Sequence, residues 1–203
     1  MGKINMLNKL ARCIANRLAQ HNTIDPEKKE IYVYGLELII SFLFSTSLVI
    51  LIGTIMGKII PTIMFLIVYI LLRSYSGGYH ANSYWLCTVV TLSVYMLVIL
   101  LSTYITVNTI VYIGFFIVGT VLLYIFAPIE NINKEILPKD AHRYKYISIV
   151  MFVGFSIIGF CLLSYEPLLG NTIFYTLCAD IINMIPYCKF KNRKSNERRT
   201  ENA

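Results

Sequence analysis

Charge is scarce in this 203-residue chain. Only 14% of its residues are Asp, Glu, Lys or Arg, whereas 57% are hydrophobic. A water-soluble domain of this length has too much surface to be so apolar, so the class is an integral membrane protein. Other absences narrow the chemistry. There is no His-Glu-x-x-His to support a zinc protease and no Gly-x-Ser-x-Gly to support a serine site. The five cysteines, Cys13, Cys87, Cys161, Cys178 and Cys188, are odd in number and scattered, with no Cys-x-x-Cys. That argues against a disulfide framework and a zinc cage, so no metal and no cofactor is expected. The N-terminal stretch is too polar for a secretory signal. Met6 stands where a myristoylation signal prefers Ser or Thr.

What is present is a series of six apolar segments, 35–57, 59–72, 84–105, 108–127, 147–168 and 171–187. Most reach the ~20 residues that cross ~30 Å of hydrocarbon as a helix. The second and sixth are shorter and carry polar breaks. The expected fold is therefore all-α and polytopic, one membrane domain over 1–203 with a bundle of about six transmembrane helices over 35–187. Ahead of it, Ile4, Leu7, Leu10, Ala11, Ile14 and Leu18 recur at helical spacing, with Lys3, Lys9, Arg12 and Arg17 between them. Residues 1–22 thus read as an amphipathic helix lying in the membrane interface. The basic tail 189–203 reads as disordered.

Orientation follows from the basic residues. With both termini in the cytoplasm, every Lys and Arg except Lys58 falls on the inner side. The formal net charge of +7 is then explained by topology and by membrane lipids of anionic type. Nucleic acid is not an expected partner, since no basic groove exists outside the tail.

One stretch breaks the apolar pattern: "RSYSGGYHANSYWLC", residues 73–87, at the cytoplasmic ends of segments two and three. Gly77 and Gly78 resist a regular helix. Asn82 or Ser83 can cap the third span. If Ser83 caps, Cys87 is the fourth helical residue, near a helix N-terminus whose partial positive charge suits an anion. Residues seven apart in a continuous helix stand ~10.5 Å apart along the axis, too far for a hydrogen bond of ~3–4 Å. His80 therefore reaches Cys87 only if the chain between the two helices folds back, which the glycine pair permits. In that geometry His80 takes the thiol proton, Cys87 attacks a peptide carbonyl, and helix N–H groups hold the oxyanion. Taken alone, the residues leave a plainer alternative open: His80 as an interfacial polar side chain, Cys87 as packing and Arg73 as a topology anchor.

Arg73, the Gly77-Gly78-x-His80-Ala81 run and Cys87 together resemble the accessory gene regulator B family, the membrane cysteine endopeptidases of Gram-positive quorum sensing. A second stretch, "FAPIENINKEI" at 126–136, resembles the family's Ala-Pro-x-x-x-x-Asn-Lys segment around Lys134, although Ile132 and Glu135 stand where prolines are common. The resemblance implies Cys87 as nucleophile, His80 as general base, and Arg73 and Gly78 as site support. It implies a homodimer in the bacterial cell membrane with its active site at the cytoplasmic face. It also implies the substrate, a short membrane-associated pro-peptide with an acidic C-terminal tail, cut and then cyclised to a (thio)lactone. The inner-face bases Arg73, Lys134, Lys139, Arg143 and Lys145 suit such a tail.

Two further ionisable residues lie within spans and are functional candidates on that ground, Glu37 in the first and Asp180 in the sixth. Each can orient His80, bind substrate, or simply pair with a nearby cation. The rival functions are a non-catalytic binding protein or exporter of the same peptide, and a redox or metal sensor built on His80 and Cys87. Polar residues clustered at one membrane face favour the enzyme over the exporter, and the lack of further ligands disfavours the sensor.

Overall fold

The computed structural model describes residues 6–20, 29–76, 84–126 and 138–201. Among them the chain is entirely helical. Seven helices follow in order: α1 (Met6–Gln20), α2 (Lys29–Ile55), α3 (Ile59–Ser76), α4 (Tyr84–Tyr104), α5 (Thr109–Phe126), α6 (Pro138–Tyr165) and α7 (Pro167–Glu201). By length and composition α2, α4, α5 and α6 can each cross a membrane, whereas the apolar stretch of α3, Ile59–Tyr75, is shorter.

Helix ends follow the local chemistry. Gly57, at φ 64°, ends α2 in the left-handed region that favours glycine. Asn108 caps α5, its Oδ1 accepting from the Ile110 N–H at 2.9 Å. Pro138 and Pro167 open α6 and α7 at the position where a missing N–H is harmless. α6 thus begins at Pro138 rather than at 147, because hydropathy marks only the apolar part of a helix whose first turns are polar. α7 likewise continues to Glu201 through the stretch expected to be disordered. Beyond Pro186 that stretch holds no Gly or Pro, and its Lys, Arg and Glu are good helix formers.

The contacts fall into two compact units, 1–52 with 81–92 and 53–80 with 93–203. In the first, Ala11 and Ala15 of α1 are buried with Val33 of α2, and Leu36 and Ile40 pack around them. Arg12 Nη2 meets Glu30 Oε2 at 3.2 Å on the exposed side of this contact. In the second, the core is Val68 and Leu72 of α3, Leu123 of α5, Phe152 of α6, and Ile173, Leu177, Ile181 and Met184 of α7.

The second unit sets polar residues into this apolar core and is apolar outside as well. Thr62, Ser102, Ser148, Ser156, Asn171, Thr172, Thr176 and Asp180 are buried, while Ile60, Ile110, Ile117 and Ile157 are more than half exposed. A surface of this kind suits hydrocarbon rather than water. Without a hydrophobic force between helices, close packing has to hold them, and small residues allow it. A Cβ added at Gly170 of α7 would stand 2.7 Å from the Leu163 backbone nitrogen and 2.9 Å from the Gly159 carbonyl oxygen of α6. Backbone cannot swing aside as a side chain can. Gly170→Ala should therefore lower stability by about 1–3 kcal/mol. Gly154→Ala meets nothing within 4 Å and should be neutral or stabilising by up to about 1 kcal/mol. Thermal unfolding of the two variants in detergent micelles checks the contrast.

Candidate active site

Arg73 stands in the last turn of α3, at the top of a column built by helical spacing. Phe65, Tyr69 and Arg73 are four residues apart and share one face. Phe65 and Tyr69 stack with ring centroids 5.1 Å apart. The Arg73 guanidinium lies over the Tyr69 ring, 5.3 Å from its centroid, and its Nη1 donates to the Tyr69 hydroxyl. Lower in the column Phe65 meets the Tyr95 ring of α4 at 5.3 Å. The Tyr95 hydroxyl is in turn hydrogen-bonded to Thr62 Oγ1 at 2.7 Å. The cation is thus held by cation–π attraction and a hydrogen bond rather than left to wander as a surface anchor.

α7 packs against α3 and carries Asp180, which is 4% exposed. Asp180 thus lies buried on a helix packed against the one that carries Arg73. Asp180 belongs to a polar stripe on α7, with Thr172, Thr176 and Asn183 at helical spacing. Thr172 Oγ1 donates to the Leu168 carbonyl at 2.7 Å and Thr176 Oγ1 to the Thr172 carbonyl at 2.6 Å. Asp180 Oδ2 and Asn183 Nδ2 have no such partner.

Cys87 lies in the other unit, half-buried and with a free thiol. α4 starts at Tyr84, so Cys87 is its fourth residue. Its neighbour Thr88 is buried, whereas Trp85 is exposed. Glu37 is buried on α2. His80, Gly77, Gly78, Asn82, Ser83 and Lys134 lie outside the described residues, and with them the geometry of the His80–Cys87 pair. Of the bases expected at the inner face, Lys145 sits over the Tyr124 ring with its Nζ 4.1 Å from the centroid. Among the described residues no three His, Cys, Asp or Glu side chains converge as a metal site would need. Sequence reasoning missed Tyr69 and Asn183. The signals were there: an aromatic one turn before Arg73, and an amide three residues after Asp180.

The sequence profile described as accessory gene regulator B matches residues 11–185. The chain belongs to the accessory gene regulator B family. It is 31% identical over 161 residues to an AgrB-like protein of Clostridium perfringens (strain SM101 / Type A), covering 73% of this chain and 75% of that protein. It is 30% identical over 144 residues to accessory gene regulator protein B of Staphylococcus haemolyticus (strain JCSC1435), covering 68% and 76%. To the protein FsrB of Enterococcus faecalis (strain ATCC 47077 / OG1RF) it is 24% identical over 158 residues, covering 77% and 64%. No solved structure matches the chain. Membership places the protein in accessory gene regulation and quorum sensing.

The Arg73–Asp180 coupling is open to a direct test. Arg73 is half-buried and Asp180 buried on the neighbouring helix, so a charge–charge contribution of about 1 kcal/mol is expected. Arg73→Ala should destabilise the chain by that order, and Arg73→Ala with Asp180→Asn should recover part of the loss. Unfolding temperatures of the single and double variants in micelles decide it. A double-variant loss equal to the sum of the two single losses would mean that the two charges do not interact.

Proposed function

We propose that this member of the accessory gene regulator B family is a membrane cysteine endopeptidase. It cleaves the C-terminal tail from a short, membrane-associated pro-peptide. His80 takes the Cys87 thiol proton, and the sulfur attacks the scissile carbonyl. The tetrahedral intermediate collapses to a thioester on Cys87, and His80 returns the proton to the leaving amine of the tail. A cysteine or serine within the retained peptide then attacks the thioester, closes a thiolactone or lactone ring and restores the Cys87 thiol. Each exchange replaces one acyl bond by another, so no oxidant, metal or cofactor enters.

The observation that carries this reading is the family match across residues 11–185, a span that contains both His80 and Cys87. The position of Cys87 supports it. In the first turn of a helix, backbone N–H groups lack intrahelical partners and can stabilise an oxyanion. The half-buried thiol also suits a reaction in which a peptide nucleophile has to outcompete water.

The same proposal includes six membrane crossings with both termini inside, α3 and the first half of α7 completing the four longer helices. It places the active site at the cytoplasmic face, where the positive-inside pattern puts residues 73–87. α1 lies in the interface, and two copies form a homodimer.

Co-expression with a candidate pro-peptide, read by mass spectrometry, tests the chemistry. The C-terminal fragment should appear with the parent chain and fall below detection with Cys87→Ala and with His80→Ala. Cleavage that survives Cys87→Ala sinks the proposal.

A further inference from the structure

Among the described residues, three buried side-chain polar atoms lack a hydrogen-bond partner: Ser156 Oγ, Asp180 Oδ2 and Asn183 Nδ2. Ser156 stands apart on α6. The other two lie three residues apart on α7, a spacing that puts side chains on one helix face with Cβ atoms about 5–6 Å apart. The first is an acceptor and the second a donor. Toward the start of α7 the same stripe is closed, because Thr172 and Thr176 return their hydroxyls to the helix's own carbonyls. At Asp180 and Asn183 it is open.

The chemistry of a ligand that would close it is narrow. It has to present one N–H and one C=O to the same side. An extended peptide does this at every second residue, where N–H and C=O of one residue point the same way. A peptide that leaves water for a membrane-embedded protein also has to find new partners for its main chain.

We propose that Asp180 and Asn183 form a subsite that holds one residue of the substrate by its main chain. Asp180 Oδ2 accepts that residue's N–H, and Asn183 Nδ2 donates to its C=O. The subsite rests on the peptidase reading above, because that reading supplies the peptide. A buried water is the rival occupant.

The test reads binding without turnover, using the full chain with Cys87→Ala in lipid nanodiscs. The probe is a candidate pro-peptide with an acidic C-terminal tail, chosen because the wild-type chain cleaves it and made with an N-terminal fluorophore, together with analogues N-methylated at one backbone amide at a time. Asn183→Leu should weaken Kd about tenfold, while the unfolding temperature stays level or rises, since an unmet donor has been removed. One N-methylated position should lose about tenfold in the parent and less in Asp180→Asn. Unchanged Kd in Asn183→Leu overturns the subsite and leaves the atoms to a bound water. So does an N-methyl scan with no sensitive position, a result that needs no variant of α7 to fold. A wild-type chain that neither binds nor cleaves any such peptide brings down the peptidase reading, and the subsite with it. Cleavage by the wild type with indifferent α7 variants brings down the subsite alone.

Discussion

Hydrocarbon offers a polar group no partner, so whatever polarity a membrane helix carries has to be answered within the protein. Hydroxyls in this chain are answered at the shortest range. Ser47, Thr103, Thr120, Ser148, Thr172 and Thr176 each donate to the carbonyl one turn back on their own helix. Other groups are answered across helices. Thr62 meets Tyr95, the Tyr112 hydroxyl reaches the Ser156 carbonyl, and Asn171 takes the Val107 N–H. The α4–α5 connection is tied to α7 by this last bond and by the Tyr175 hydroxyl on the Ile105 carbonyl. Polar side chains thus do in the interior what hydrophobic ones do in a soluble core: they specify which helices meet.

Glycine supplies the second half of that specification. A Cβ at Gly119 would run into the Phe152 ring, at Gly53 into Thr62, and at Gly170 into the backbone of α6. These positions bring aromatic rings and whole helices closer than any larger residue permits, so dispersion contacts replace the missing hydrophobic drive. The aromatic groups around Tyr112, which meets Phe160 at 5.7 Å and Phe174 at 5.1 Å, fill the space so defined.

The sequence was a good guide where polarity changes sharply and a poor one where it does not. Residues 84–105 and 108–127 match α4 and α5 to within a residue, and Asn108 punctuates the start of α5. α6 and α7 overrun their apolar segments, because hydropathy marks only the apolar part of a helix whose polar turns continue beyond it; α7 runs on even through Pro186. Asp180 was visible as an ionisable residue within a span. That α7 packs it against the helix carrying Arg73 was not, since a contact between distant helices leaves no mark in local periodicity. The Tyr69–Arg73 contact is different in kind: it is an i, i+4 pair and follows from helical spacing alone. For the His80–Cys87 pair the sequence and the family match remain the guides, with Cys87 placed on α4 and His80 outside the described residues.

The column of Thr62, Phe65, Tyr69 and Arg73 turns α3 into a single mechanical part. Its lower end is gripped by Tyr95 and by the close approach of Gly53 to Thr62. Its upper end carries a charge fixed to the ring one turn below. The azimuth of that charge is therefore not a side-chain variable but the rotational phase of the helix. Each residue of an α-helix advances the phase by about 100°. One residue more or fewer between Tyr69 and Arg73 would carry the guanidinium off its face, however well the remaining chemistry was preserved.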